Sequence, residues 1–174
     1  MVGCVIVVKD QIIAEGYTSP YGGAHAEVNA IQSVKDVSLL HKATLYVTLE
    51  PCAHHGRTGP CCDALIQAGI ERVFASVQDP NPHVSGQGLT RLRAAGIEVH
   101  TGLLEDEARE LNIGFFSRMV RQTPWVRMKL AASLDGKTAL HNGVSQWITS
   151  GPARADGHAW RARACAVLTG IGTV

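Results

Sequence analysis

The apolar and polar positions of the chain follow first the period of strands and then the period of a helix. The runs "GCVIVV" and "IIAEGY" are rich in apolar and β-branched residues, and the polar "KDQ" between them predicts a hairpin. In the following "AHAEVNAIQSV", residues Ala26, Ala30 and Val34 recur at helical spacing. The pattern therefore predicts a short helix directly after the hairpin.

Strands and helices alternate further along the chain. The strand-like runs are "ATLYVTLE", "RVFASVQ" and "IEVHTGLL". The helix-like runs between them are "CCDALIQAGIE" and "GLTRLRAAG", which we expect to end near Gly69 and at Gly96, because glycine favours the left-handed backbone of a helix C-terminus. A hairpin followed by alternating strands and helices predicts a mixed α/β sheet with helices on both faces.

A break follows the helix-like run "EDEARELNIGFFSRMVR". The next residues are "QTP", and proline and its predecessor both resist a continued helix. Beyond the break we expect a strand over "WVRMKLAAS", a turn at "DG", a helix over "ARADGHAWRARA" and a strand over "CAVLTGIG". This pattern predicts one domain over 1–121 and an incomplete second domain over 122–174, too small for an independent core of ordinary size.

The balance of charges limits the kinds of molecule that we expect the chain to bind. The chain has 16 basic and 15 acidic residues and a net charge of +1, which gives no electrostatic footprint for nucleic acid or an anionic membrane. The opening "MVGCVIVVKD" is apolar but has no basic leader and is too short to cross a bilayer. We therefore expect a small-molecule partner and a cytoplasmic location, where the 5 cysteines stay reduced and clustered thiols more often bind metal than form disulfides.

Two stretches carry candidate metal ligands. His25 and Glu27 of "HAE" open the first predicted helix, where they lie about 200° apart around its axis and can reach one site only if the helix points at it end-on. Cys52 of "PC" closes the strand "ATLYVTLE", and Cys61 opens the next helix, where a thiolate is stabilised by free N–H groups. Three protein ligands leave the fourth zinc position for a water, which is the arrangement of a catalytic zinc site.

The ligand set has alternatives that the sequence leaves open. The stretch "PCAHHGRTGPCC" also offers His55, which gives a possible His, Cys, His site, and Cys62, which competes with Cys61. Cys62 is the weaker rival because its side chain points elsewhere around the helix. A purely structural zinc module is the alternative of another class, although such sites usually have four protein ligands.

The HxE motif followed by PC and a second cysteine resembles the zinc-dependent nucleoside deaminase superfamily. The resemblance implies that His25, Cys52 and Cys61 bind zinc, while Glu27 binds no metal and moves a proton from water to the leaving amine. One departure concerns the spacing, which is usually PCxxC, because here Cys61 lies farther on and His55 occupies the PCxxC position.

Longer segments resemble the bifunctional riboflavin biosynthesis deaminase/reductase family over essentially the whole chain. They are "PCAHHGRTGPCCDALI", "QDPNPHVSGQGLTRLRAAGIEV", "GFFSRM" and "KLAASLDGKTAL", together with "SQWITS". The family deaminates 2,5-diamino-6-(5-phosphoribosylamino)pyrimidin-4(3H)-one to 5-amino-6-(5-phosphoribosylamino)uracil and then reduces the ribosyl chain to ribityl with NADPH. The resemblance implies a cytidine deaminase-like three-layer α/β/α domain over 1–121, then the start of a dihydrofolate reductase-like α/β domain.

The resemblance also implies contacts with the substrate in the first domain. His54 and Arg57 match substrate-contacting positions of the loop after "PC", and Asp79 and Asn81 of "DPNP" match others. The planar guanidinium of Arg57 suits a phosphate because it forms paired charge-assisted hydrogen bonds. Aspartate and asparagine can read the amino and carbonyl edges of a pyrimidine.

In the second domain the resemblance implies a dinucleotide site. Ala131, Trp147 and Thr173 match positions that contact NADP, and Ser145 and Arg161 match positions that contact the substrate. We nevertheless expect no reductase activity from this chain, because 122–174 provide only the first strands and one helix of such a sheet. A homo-oligomer remains open.

The beginning of the chain departs from the family pattern, and other deaminases provide alternative functions. The family usually has an opening helix and an "NPxVG" segment, whose asparagine helps to bind substrate, and this chain starts at "MVG". We interpret the sequence as an internal fragment of a longer gene product, and a mis-called start codon would explain its beginning equally well. A cytidine, guanine or tRNA adenosine deaminase would share HAE and PC but should have the short cysteine spacing and no second domain.

Overall fold

The computed structural model describes residues 1–173 of the chain and the side chains of residues 1–172. The chain divides into two compact units, Met1–Trp125, called the first unit below, and Val126–Val174, the second unit. The strands are β1 (Gly3–Val8), β2 (Gln11–Tyr17), β3 (Thr44–Val47), β4 (Arg72–Ala75) and β5 (Glu98–Thr101). The α-helices are α1 (Ala26–Ser33), α2 (Cys61–Ala68), α3 (Gln87–Ala94), α4 (Glu105–Leu111), α5 (Ile113–Phe116) and α6 (Gly151–Ala162).

The five strands of the first unit form one mixed sheet in the order β2-β1-β3-β4-β5. β1 pairs antiparallel with β2 and β3, whereas β3, β4 and β5 are parallel. The turn between β1 and β2 places Lys9 at φ 48° and Asp10 at φ 62°, which are the left-handed conformations of a tight two-residue hairpin. The α/β sheet and the opening hairpin that the sequence predicts are confirmed.

The main core lies on one face of the sheet, because alternate strand residues point to opposite faces. The buried strand residues of this face are Cys4, Ile6, Val8, Ala14, Leu45, Val47, Val73 and Ala75. Ala26 and Ala30 of α1, Leu65 of α2, and Leu89 and Leu92 of α3 pack against them. On the other face, Phe74 stacks between Tyr46 and His100, with ring centroids 5.0 and 4.6 Å apart, and these rings are half-buried or exposed.

The predicted ends of two helices are also present. Gly69 follows α2 with φ 70°, and Gly96 comes shortly after α3 with φ 85°. The run "EDEARELNIGFFSRMVR" does not form one helix, however. It is interrupted at Asn112, which has φ −119°, and it continues as α5 and a π-helical turn over Ser117–Arg121.

The second unit has the predicted helix but neither of the predicted strands. Its helix α6 begins after Ser150, whose hydroxyl accepts a hydrogen bond from the N–H of Ala153 at 3.4 Å. No strand forms in the described residues 126–173, so the strands expected over "WVRMKLAAS" and "CAVLTGIG" are wrong. Isolated strands are not stable, because their N–H and C=O groups need a neighbouring strand. Met128 and Leu168 accordingly lie on the surface, with 82% and 100% of their area exposed.

Candidate zinc and substrate site

The predicted metal ligands lie close together, at or near the ends of three secondary-structure elements. His25 is the extended residue before α1, Cys52 follows β3, and Cys61 is the first residue of α2. The ligand atoms of the three side chains all lie within 4.8 Å of one another. Nδ1 of His25 is 3.2 Å from Sγ of Cys61 and 3.6 Å from Sγ of Cys52. The end-on approach of α1 that the HAE spacing requires is therefore present.

The pKa values of the two neighbouring thiols, Cys52 and Cys61, are shifted in opposite directions. The backbone N–H of Cys61 donates to Sγ of Cys52 at 3.3 Å. Hydrogen bonding from Cys61 lowers the pKa of Cys52 to about 5, whereas the same contact and burial raise the pKa of Cys61. A bound cation would stabilise both thiolates, because a coordinating thiol gives up its proton. One nitrogen and two sulfur donors at these separations fit Zn²⁺ with one position left open.

Glu27 lies beside this cluster without belonging to it. Only 3% of its surface is exposed, and it sits in the first turn of α1. Burial raises the pKa of the Glu27 carboxyl, and the charge of Cys52 adds to this, while a backbone hydrogen bond, Cys61 and His25 act in the opposite direction. A carboxyl whose pKa is raised toward neutrality can both accept and return a proton.

The alternative ligands lie outside the cluster. Cys62 is fully buried, and its S–H donates to the carbonyl oxygens of Pro51 at 3.3 Å and Gly88 at 3.5 Å. His55 is exposed in the loop between Cys52 and α2. Within the described residues, the structure thus gathers His25, Cys52 and Cys61 and leaves His55 and Cys62 apart.

A cleft of about 350 Å³ opens above His25 and Cys52. The loop after β2 forms one wall, and the loop that carries His54 and Arg57 forms the other. The guanidinium of Arg57 lies 4.4 Å from the centre of the exposed Tyr21 ring, which is a cation–π distance. Sequence reasoning missed Tyr21, because the chain separates it from Arg57 and only the fold brings the two loops together.

Asp79 and Asn81 stand on a separate loop between β4 and α3. The N–H of Asn81 donates to Oδ1 of Asp79 at 2.8 Å, and the N–H of His83 donates to Oδ1 of Asn81 at 3.1 Å. Burial raises the pKa of Asp79, and the charges of Glu50 and Cys52 contribute to the rise, while the Asn81 N–H and His54 oppose it. Neither Asp79 nor Asn81 lines the cleft.

The residues predicted to bind NADP and substrate in the second unit are not gathered in a comparable way. Ala131 is half-buried, whereas Ser145, Trp147 and Arg161 are exposed. The Trp147 ring lies 4.3 Å below the Arg154 guanidinium, and Nη1 of Arg161 lies 3.4 Å from Nδ1 of His158. The side chain of Thr173 lies outside the described residues.

Two family models match the chain. The cytidine and deoxycytidylate deaminase zinc-binding region matches residues 1–77, which contain the His-Cys-Cys cluster and Glu27. The RibD C-terminal domain matches residues 124–174. In the described part of the chain, no helix is long and apolar enough to span a membrane.

Individual relatives match both regions at once. The riboflavin biosynthesis protein RibD of Escherichia coli is 55% identical over 99% of this chain and 47% of its own length. A solved diaminohydroxyphosphoribosylaminopyrimidine deaminase/5-amino-6-(5-phosphoribosylamino)uracil reductase from Thermotoga maritima is 47% identical, with a TM-score of 0.90, over 99% of this chain and 49% of that one. The RibD structure from Acinetobacter baumannii, form 2, is 50% identical, with a TM-score of 0.87, over 99% and 48%. The chain thus spans about half the length of the curated relatives it matches.

Proposed function

The chain belongs to the zinc deaminase superfamily as a RibD-like protein, and on that premise we propose that it hydrolytically removes an amino group from a phosphorylated aminopyrimidine. The observation that carries the proposal is the convergence of one histidine and two cysteines beside the buried carboxyl of Glu27. A closed structural zinc site would need no buried carboxyl beside it and would offer a fourth protein ligand.

The proposed substrate is 2,5-diamino-6-(5-phosphoribosylamino)pyrimidin-4(3H)-one. The name of the Thermotoga maritima relative describes a deaminase of this chemical class, and the matched 99% of this chain includes the cleft loops. The spacing between Cys52 and Cys61 supports the same choice over a cytidine, guanine or tRNA adenosine deaminase, because the longer loop supplies His54 and Arg57 to the cleft wall.

In the proposed reaction His25, Cys52 and Cys61 hold the zinc ion, which when bound lowers the pKa of a coordinated water to about 7. Glu27 takes a proton from the attacking water, whose oxygen adds to the carbon that carries the amino group. Glu27 then returns a proton to the amino nitrogen, the carbon–nitrogen bond breaks and ammonia leaves. The proton of the added hydroxyl moves to the neighbouring ring nitrogen, so the carbon becomes a carbonyl and the aminopyrimidine becomes the uracil.

The cleft loops would orient the substrate above this centre. Arg57 is exposed at the rim, where a guanidinium can reach a phosphate with paired hydrogen bonds, and Tyr21 limits its movement from the opposite wall. We propose that His54, Asp79 and Asn81 form hydrogen bonds with the polar edges of the pyrimidine and with its sugar.

The second unit would serve the reductase reaction of the longer relatives. Its match to the RibD C-terminal domain supports assigning NADPH contacts to Ala131, Trp147 and Thr173. It also supports assigning substrate contacts to Ser145 and Arg161. We further propose a cytoplasmic location, in keeping with reduced thiols at the zinc site, and a homo-oligomeric state.

The test measures ammonia release by the purified zinc-loaded chain. The aminopyrimidine, cytidine and guanine are assayed separately as alternative substrates. Wild-type protein should act on the aminopyrimidine. Glu27→Gln should lose turnover by at least about a thousandfold while zinc content stays near one per chain. Full activity in Glu27→Gln, or preference for cytidine or guanine, would contradict the proposal.

A further inference from the structure

Glu50 is a buried carboxylate that the reaction above does not use. Only 4% of its surface is exposed, and no described Lys, Arg or His side chain forms an ion pair with it. Its two oxygens accept four backbone hydrogen bonds instead. Oε2 accepts from Asp79 at 3.0 Å and Gly86 at 2.9 Å, and Oε1 accepts from Gly88 at 2.9 Å and Leu89 at 3.4 Å.

These hydrogen bonds join two parts of the proposed site. Glu50 lies two positions before Cys52, and its own N–H donates to the carbonyl of Val77 at 2.9 Å. The residues that donate to it enclose the segment 79–86, which carries Asp79 and Asn81, and also include the first turn of α3. One side chain therefore ties the metal-ligand turn to the loop that we assign to the substrate.

The backbone around Glu50 packs closely enough to bury its carboxylate. A Cβ atom at Gly88 would lie 1.9 Å from the carbonyl oxygen of Pro51 and 3.1 Å from Oε1 of Glu50, so only glycine lets α3 approach so closely. The S–H of Cys62 donates to the same two backbone carbonyls, those of Pro51 and Gly88. The close approach leaves the carboxylate out of water, and the four N–H groups are what stabilise its charge.

We propose that Glu50 is a positioning residue that fixes the segment 79–86, and with it Asp79 and Asn81, relative to the zinc ligand Cys52. The catalytic part of this inference rests on the function proposed above. A carboxylate suits the role because it only accepts hydrogen bonds, whereas a glutamine would turn an NH₂ group toward one pair of backbone donors. Glu50 acts through the loop and does not itself touch the reacting atoms.

The experiment compares zinc-loaded Glu50→Gln with the wild-type full chain. KM for the aminopyrimidine should rise by about tenfold, while kcat falls by less than about threefold and zinc content is unchanged. In an Asn81→Ala background the same substitution should raise KM much less, because the contact that it misplaces is already gone. A purely structural role would give additive effects in this cycle.

A matched control and a second readout separate positioning from a loss of stability. Asp36→Asn alters another carboxylate that accepts a backbone N–H, that of Ser38 at 3.0 Å, and should leave KM unchanged. Amide hydrogen exchange at Asp79, Gly86 and Gly88 should speed up in Glu50→Gln and not in Asp36→Asn. If Glu50→Gln does not fold, Glu50→Asp keeps the charge on a shorter side chain and should give a smaller rise in KM.

Two results would overturn the proposal. One is unchanged KM in zinc-loaded Glu50→Gln or Glu50→Asp, and the other is unchanged exchange at the three amides. If the wild-type chain released no ammonia from the aminopyrimidine, this result would contradict the proposed function but not the contact between Glu50 and the segment 79–86. The amide exchange would then still decide whether Glu50 holds the segment.

Discussion

The two units of this chain contain similar kinds of residue but differ in what surrounds them. In the first unit every strand has a hydrogen-bonded neighbour, and Ile6, Leu45 and Leu65 are fully buried. In the second unit, among the described side chains, Leu134 and Leu168 are as exposed as in an extended chain. Apolar residues do not form a core by themselves. They need a neighbouring sheet or helix whose polar backbone groups are already paired.

The same contrast applies to the chemistry. In the first unit, His25 precedes α1, Cys52 lies on the loop after β3 and Cys61 begins α2, so the fold brings them together. In the second unit Ser145 and Trp147 lie on an irregular exposed segment. The following experiments test this difference between the two units.

The largest effect should come from the metal ligands of the first unit. Cys61→Ser should reduce zinc from about one per chain to less than about a tenth, because two protein ligands hold zinc far more weakly than three. Cys62→Ser is the matched control next to it, and it should retain zinc because its S–H donates to backbone carbonyls. Metal analysis of both dialysed variants decides the assignment, and loss of zinc only from Cys62→Ser would reverse it.

The second experiment asks whether the second unit has chemistry of its own. We expect no NADPH oxidation by the purified chain with the deaminated pyrimidine, because dinucleotides bind at the ends of strands and the described residues 126–173 form none. The absorbance of NADPH measures the reaction. NADPH-dependent reduction would contradict the contrast between the units and would mean that a partner chain supplies the missing strands.

The third experiment applies one substitution to both units. Leu45→Ala removes a fully buried side chain and should lower the free energy of unfolding by about 2–5 kcal/mol. Leu168→Ala removes a side chain that is 100% exposed and should change it by less than about 0.5 kcal/mol. Denaturant unfolding followed by circular dichroism gives both values. Equal effects would show that Leu168 is buried in solution.

The fourth experiment measures local stability with a protease. Cleavage after about residue 122 should be at least about tenfold faster than cleavage within residues 1–121, because exposed segments with few packed side chains open easily. Mass spectrometry of a brief digest identifies the sites. Zinc should remain with the large fragment, and early cleavage within β1 or β3 would contradict the expectation. The division into one domain over 1–121 and an incomplete second domain over 122–174 stays a prediction.

The smallest effect concerns an exposed arginine in each unit. Arg57→Ala should raise KM by about tenfold for the phosphorylated substrate and much less for its dephosphorylated form, since a guanidinium–phosphate pair is lost. Arg161→Ala is the counterpart in the second unit and should leave deamination unchanged. Steady-state ammonia release with both substrates tests this. Equal effects of Arg57→Ala on both substrates would exclude the phosphate role.

Local spacing predicts much of the first unit. The polar "KDQ" gives the hairpin turn, Ala26 and Ala30 mark the buried side of α1, and Gly69 ends α2. The motifs HAE and PC also identify candidate ligands, because few residue types coordinate zinc. Their roles, like those of the substrate and NADP residues, stay predictions until they are tested.

Other features could not be predicted from local spacing, because they depend on residues far apart in the chain. Tyr21 lies against Arg57 only because two loops form opposite walls of one cleft. In the sequence, Glu50 is an ordinary polar residue at the end of a predicted strand. Its burial follows from the approach of α3 at Gly88. The strand patterns of the second unit are plausible locally, yet neither forms a strand in the described residues 126–173.

Local sequence patterns were enough to predict the order of the five strands and of α1, α2 and α3, and the types of side chain at their ends. Backbone periodicity, turn residues and ligand chemistry are properties of short segments, so they can be read from the chain directly. Only the tertiary structure shows how the two neighbouring thiols are placed, because the rotation of α2 directs Cys61 toward His25 and Cys62 toward the carbonyls of Pro51 and Gly88. Only the tertiary structure also shows that the described residues 126–173 form no strand, because a strand is stable only when another part of the molecule accepts and donates its hydrogen bonds.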